Sequence, residues 1–144
     1  METEETKSDN IIMDSQLTNN PIHLQKILDY FKAFNEKDLD TLSHLYSDDV
    51  TLKDWTGRWE TKPMVLEENQ NLFTSQPNLS ITLNRIENKS NTSYCYISIG
   101  LEDTKLEVLD CIYFNEGGKI SHIEAILRDT TDTKVPNWIG EKGL

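Results

Sequence analysis

The sequence predicts an α+β domain with helices on one face of an antiparallel sheet. Three observations carry that expectation. Apolar residues recur at helical spacing through the first half of the chain, the period drops to two from Asn78 onward, and short turn-forming stretches separate the alternating runs. Helices first and strands after make a layered α+β unit rather than an interleaved parallel sheet.

Residues 1–20 are mostly Glu, Asp, Ser, Thr and Asn, interrupted by Ile11, Ile12 and Met13, and are expected to form a disordered or loosely docked acidic arm. The folded domain is expected over 21–130, with 131–144 as a C-terminal tail carrying Pro136, Asn137, Trp138 and Ile139. Pro21 suits the first turn of a helix, where a missing N–H does no harm. Leu24, Ile27, Leu28, Phe31 and Phe34 then form an apolar stripe, flanked by Tyr30. Asp38 is placed to cap a second helix carrying Leu39, Leu42, Leu45 and Tyr46, which should end at Ser47-Asp48. A short strand follows, then a loop, Trp55-Thr56-Gly57-Arg58-Trp59, that serves equally as a lid or a pocket rim. Thr61-Lys62-Pro63 opens a third helix with Val65, Leu66, Asn69, Leu72 and Phe73 on one side. Asn69 in that stripe turns its amide inward, as a satisfied core amide or as a pocket group.

Four alternating runs complete the domain. They centre on Leu79–Leu83, Cys95–Leu101, Leu106–Phe114 and Ser121–Leu127, and Asn88–Asn91, Glu102–Thr104 and Asn115–Gly118 supply the turns of a meander. A two-residue turn at Glu102-Asp103 places Ile97 and Ile99 on the same face as Val108 and Asp110. A turn at Glu116-Gly117 or Gly117-Gly118 adds Ile123, Ala125 and Leu127 to that face. The other face keeps Tyr94, Tyr96, Tyr113, His122, Glu124 and Ile126, a mixture suited to a half-exposed sheet or a homodimer interface.

Composition narrows the function. A net charge of −11 over 144 residues argues against nucleic acid and anionic membrane surfaces, which both require basic patches. No apolar run approaches the roughly 20 residues of a membrane span. The start, Met-Glu-Thr-Glu-Glu, lacks the basic and apolar regions of a signal peptide, so a cytoplasmic protein is expected. Cys95 and Cys111 fall in neighbouring strands on opposite faces, which favours reduced thiols over a disulfide. His23, His44 and His122 are scattered, no cluster has metal-ligand spacing and there is no Gly-rich phosphate loop, so no metal or cofactor is implied.

The chemistry concentrates in three residues. In the strand before the Trp55 loop, Val50, Leu52 and Asp54 point one way and Thr51 and Lys53 the other, so a carboxylate shares the buried face. Asp110 lies near the middle of the apolar sheet face, and Tyr30 flanks the helical stripe covering it. Each has an ordinary reading alone: Asp54 as a loop cap or solvent-facing strand end, Asp110 as half of a buried ion pair, Tyr30 as a core-edge tyrosine. Together they suit another task. Burial and mutual repulsion raise the pKa of at least one carboxyl. A neutral carboxylic acid beside a tyrosine hydroxyl makes a two-donor oxyanion hole, and the remaining carboxylate can pull a proton from carbon beside a carbonyl.

The segment Leu45-Tyr46-Ser47-Asp48-Asp49-Val50-Thr51-Leu52-Lys53-Asp54, with Gly57 after it, resembles the base-bearing segment of bacterial ketosteroid isomerases. Leu106-Glu107-Val108-Leu109-Asp110-Cys111-Ile112-Tyr113-Phe114 with the turn through Lys119-Ile120 is similar to that family's next-to-last strand and turn. The resemblance spans roughly residues 22–128. It implies the cone-shaped, cystatin-like roll of nuclear transport factor 2-like and SnoaL-like domains, a curved antiparallel sheet with three N-terminal helices on its concave face. It also implies the division of roles known from ketosteroid isomerase: Asp54 as base, Tyr30 and a protonated Asp110 as oxyanion donors, and Asn69 at about the position of a supporting tyrosine. The implied pocket takes Tyr46, Trp55 and Asn69 from helices and loop, and Ile97, Ile99, Val108, Ile123, Ala125 and Leu127 from the sheet. The expected ligand is a small apolar carbonyl compound, turned over by an isomerase or polyketide cyclase-like enzyme. A non-catalytic binding module and a dimerising interaction domain with a vestigial cavity are the alternatives.

Overall fold

The computed structural model describes residues 21–130. The arm 1–20 and the tail 131–144 expected from the sequence lie outside the described residues. Three helices, α1 (Pro21–Glu36), α2 (Leu39–Leu45) and α3 (Lys62–Ser75), accompany six strands. The strands are β1 (Tyr46–Asp54), β2 (Gly57–Trp59), β3 (Ser80–Lys89), β4 (Thr92–Gly100), β5 (Lys105–Phe114) and β6 (Ile120–Thr130). They form one curved, unclosed sheet in the order β2-β1-β6-β5-β4-β3, and the helices cover its concave face.

The helix boundaries follow local chemistry. α1 ends where Lys37 turns into the left-handed region at φ 57, and Asp38 N–H returns to Ala33 C=O at 2.8 Å. Asp38 then caps α2, accepting from Thr41 N–H at 3.1 Å and Thr41 Oγ1 at 2.7 Å. Thr61 caps α3, which carries proline in its first turn. α2 is shorter than its stripe suggests: Tyr46 already has extended backbone and opens β1, where it pairs with Ile120 of β6. The Trp55–Trp59 segment is not all loop. Gly57–Trp59 folds back on β1 with Leu52 opposite Trp59 and Asp54 opposite Gly57.

The meander holds the expected face parity. Leu101 N–H bonds to Thr104 C=O at 2.8 Å and closes a two-residue turn. Leu83, Ile97, Val108 and Leu127 consequently lie in one cross-strand row, and Ile86, Cys95, Asp110 and Ala125 in the next. The β5–β6 turn has three residues, closed by Asn115 N–H to Lys119 C=O at 2.8 Å, and an irregularity at Tyr113/Phe114 restores the register. Gly118 adopts φ +83 there, and a Cβ would stand 2.7 Å from Lys26 Nζ, which donates to Gly118 C=O at 2.6 Å. Cys95 and Cys111 occupy opposite faces and are free thiols.

Two features lie beyond the expected meander. β1 joins the sheet beside β6, and runs parallel to it. Irregularities at Leu83/Arg85, Glu107/Val108 and Tyr113/Phe114 bend the strands around the helices. The resulting core is centred on Ile27, Leu42, Val50, Val65, Ile112, Ile120 and Ile123, all at most 2 % exposed.

Candidate functional site

α1, the start of β1, α3 and the middle of β5 deliver their polar side chains to one interior cluster. Tyr30 comes from α1, one turn after Ile27 and one before Phe34, and is buried outright rather than left at the edge of the stripe. Its ring meets Phe31 edge-on at 5.0 Å between centroids and stands 6.4 Å from that of Tyr46. Tyr46 is buried where α2 gives way to β1, and its hydroxyl donates to Asn69 Oδ1 at 2.6 Å. Tyr30 stands beside Tyr46, and that neighbour adds to the upward shift that burial gives the Tyr30 hydroxyl. The Tyr46–Asn69 hydrogen bond thus lies between β1 and α3, with the Tyr30 ring of α1 packed beside it.

Asp110 adjoins this line from the sheet. It is 6 % exposed, opposite Cys95 on β4 and Ala125 on β6, and forms no ion pair among the described residues. Burial, and then the charge of Asp54, push its carboxyl up to about 7. Burial also raises both tyrosine hydroxyls, and the Asp110 charge adds to each. These mutual effects tie Tyr30, Tyr46, Asp110 and Asp54 into one electrostatic neighbourhood.

Asp54 ends β1 on the same side as Leu52 and is half-buried. Its Oδ1 accepts from Thr56 N–H at 2.7 Å, Thr56 Oγ1 at 2.7 Å and Gly57 N–H at 3.2 Å. This carboxylate therefore shapes the β1–β2 turn, while Oδ2 takes no part in those bonds.

Among the sheet residues proposed for the pocket, Ile97, Val108 and Ile123 are sealed in the core. Ile99, Ala125 and Leu127 are half-buried on the concave face, together with Leu101 and Leu106. Trp55 and Trp59 pack half-buried against the core beside them. The helices thus cover the Ile112–Ile123 end of the concave face more fully than the Ile99–Leu106–Leu127 end.

One residue escaped the sequence reading. Glu68 of α3 is half-buried, and burial, then the charges of Asp54 and Glu67, raise its carboxyl pKa. The signal was available: Glu68 stands three residues after Val65 and four before Leu72, within the row that supplies the helix's apolar stripe. Nearby cations are engaged elsewhere, Lys53 with Glu124 at 3.6 Å, Arg58 with Glu60 at 3.2 Å and Lys62 with Asp48 at 3.7 Å.

A search of curated proteins finds no match to this chain. Solved structures are similar throughout the domain. A putative ketosteroid isomerase from Kribbella flavida superposes with a TM-score of 0.68 at 15 % identity, over 81 % of this chain and 85 % of that one. A SnoaL-like protein of unknown function from Burkholderia thailandensis gives a TM-score of 0.70 at 14 % identity, over 78 % and 100 % of the two chains. SalBIII, an epoxide hydrolase/cyclase-like enzyme in pyran ring formation in the polyether salinomycin, gives 0.67 at 14 % identity, over 75 % and 93 %. At such identities these likenesses speak to the fold. No helix among the described residues is long and apolar enough to cross a membrane. The SnoaL-like domain model matches residues 27–123, most of the chain, and this protein belongs to the SnoaL-like domain family.

Proposed function

We propose that the protein is a ketosteroid isomerase-like or polyketide cyclase-like enzyme that abstracts a proton beside the carbonyl of a small apolar compound. The observation that carries this reading is Asp110: a carboxyl 6 % exposed, with no ion pair among the described residues, raised to about 7 beside two tyrosine hydroxyls. Near neutral pH a large share of it is protonated and can donate a hydrogen bond to a developing enolate oxygen. Asp54, whose Oδ1 is anchored by Thr56 and Gly57, presents Oδ2 as the proton acceptor. Its charge in turn keeps the proton on Asp110. The half-buried Ile99, Ala125, Leu127 and Trp55 supply an apolar surface for the rest of the ligand.

The anchoring of Asp54 favours a second reading. A carboxylate whose oxygen accepts three bonds within its own turn is fully accounted for as a turn residue. The domain then binds a small molecule without turning it over. Incubation with a β,γ-unsaturated ketone decides between the two. The enzyme reading requires growth of the ultraviolet band of the conjugated isomer, and its loss in Asp54→Asn. Tight phenol binding without turnover supports the binding module.

The assembly proposed with either reading is a cytoplasmic homodimer joined through the outer sheet face. There Tyr94, Tyr96 and Tyr113 are half-buried and Ile126 is 46 % exposed. The two free thiols agree with a reducing compartment.

A further inference from the structure

Four strands of the concave face lose cover toward the same end. Burial falls along β4 from Ile97 to Ile99 and Leu101, and along β5 from Val108 to Leu106. It falls likewise along β6 from Ile123 to Ala125 and Leu127, and along β1 from Val50 to Leu52. The half-buried residues make one apolar mouth, with Trp55 and Trp59 packed beside it. A contiguous apolar patch at the end of an otherwise sealed face marks a surface that something covers.

The chain leaves the sheet at this same end. β1 pairs with β6 only as far as Lys53 opposite Glu124, and β6 runs on past it to Thr130, which stands opposite Leu106. The residues that follow, 131–144, lie outside those described and outside the family match, which ends at residue 123. They carry Val135, Pro136, Trp138 and Ile139, the next apolar cluster along the sequence. Pro136 cannot donate to a strand ladder, so the segment has left the path of β6 before it reaches Trp138.

Reach and charge both suit the mouth. Trp138 lies eight positions beyond Thr130, an extended span of roughly 26 Å. The mouth crosses β1, β6, β5 and β4, three strand spacings or about 14 Å, which leaves slack for a turn back over the face. Asp54, at the end of β1, and Glu68, which feels its charge, form no ion pair among the described residues. Lys134, four positions before Trp138, brings a positive charge toward that acidic rim.

We propose that residues 131–144 fold back over the open end of the concave face and seat Trp138 on Ile99, Leu106 and Leu127 as a cover. Trp138 buries a large apolar surface there at the cost of few rotatable bonds, and keeps its indole N–H free to face water at the rim. The cover controls access to whatever the concave face binds. Its docking does not depend on the enolate chemistry proposed above.

Fluorine NMR of the full chain with its three tryptophans replaced by fluorotryptophan tests this, Trp138→Phe assigning the resonance. In the unaltered protein the Trp138 signal should stand away from that of free fluorotryptophan. A soluble gadolinium chelate should relax it several-fold less than in the urea-unfolded chain. Leu127→Ser should move the signal back to the free position, whereas Ile126→Ser, the adjacent residue on the outer face, should leave it in place. Ile99→Ser repeats the test from another strand, and the Trp55 and Trp59 signals report that each variant remains folded. A Trp138 signal at the free position and fully relaxed in the unaltered chain overturns the inference. Release by Ile126→Ser instead of Leu127→Ser places the segment on the outer face and also overturns it. A signal that reverts to the free position on dilution assigns the cover to a second copy of the chain, and refutes folding back within one.

Discussion

The Tyr46 hydroxyl donates to Asn69 Oδ1 at 2.6 Å, pinning the first residue of β1 to the middle of α3. Both groups are buried, so neither is replaced by water when its partner is removed. Tyr46→Phe should therefore destabilise the domain by about 1–3 kcal/mol while leaving the fold intact. Chemical denaturation checks this, with an unchanged denaturant slope marking an unchanged fold.

Asp110 should make stability fall as pH rises. Burial raises its pKa to about 7 in the folded chain, from an ordinary value of 3.8 when unfolded. Between those values the folded state holds a proton that the unfolded state has released, so the slope of stability with pH is negative there. Below that window both states are protonated, and above it both are ionised with the burial penalty fully expressed. Asp110→Asn should abolish this component and be the more stable form at pH 8. The difference should reach a few kcal/mol, since each tenfold change in proton affinity is worth about 1.4 kcal/mol. Thermal denaturation of both proteins across the window checks the sign.

Asp54 separates turn chemistry from proton transfer. Asp54→Asn keeps an oxygen to accept from Thr56 and Gly57, so stability should change by less than about 0.5 kcal/mol. Turnover of a β,γ-unsaturated ketone should nevertheless fall by about 100-fold or more. Asp54→Ala should lose both, with a stability cost of roughly 1 kcal/mol for the missing turn acceptor. Parallel stability and rate measurements on the two variants distinguish the roles.

The outer sheet face offers a fourth test. Ile126 is 46 % exposed beside half-buried Leu109 and Tyr96, and Arg85 and Arg128 stack over the Tyr96 ring at 5.0 and 5.3 Å. Ile126→Asp should convert the proposed dimer to monomer without unfolding it, because the side chain already contacts water in the single chain. Size-exclusion chromatography with light scattering gives the mass directly. An unaltered protein that runs as a monomer removes the dimer from the proposal.

The concave face of the sheet was legible in advance because two-residue alternation leaves only two choices of face. The two-residue turn at Glu102-Asp103 selected one face for Ile97, Val108 and Asp110, whereas the turn after β5 has three residues instead of the expected two, and Ala125 joins that face only through the irregularity at Tyr113/Phe114. The caps at Asp38 and Thr61 were legible because their chemistry is complete within three residues. The β1–β2 hairpin was missed because its turn depends on a side chain, Asp54, that takes the place of backbone partners. Glu68 was missed because a charged residue in an amphipathic stripe looks solvated until the opposing strand is in place.

By itself the sequence determined which residues alternate, where helices begin, and that Asp110 falls among the buried residues of the sheet. Those properties are set by neighbours a few positions away along the chain. Only the tertiary structure decided that β1 runs parallel to β6, that Tyr46 reaches Asn69 across 23 positions, and that Asp110 has no cation beside it among the described residues. Such relationships depend on how curvature brings distant elements together. Whether a buried acid holds its proton follows from what surrounds it in space, not from what adjoins it in sequence.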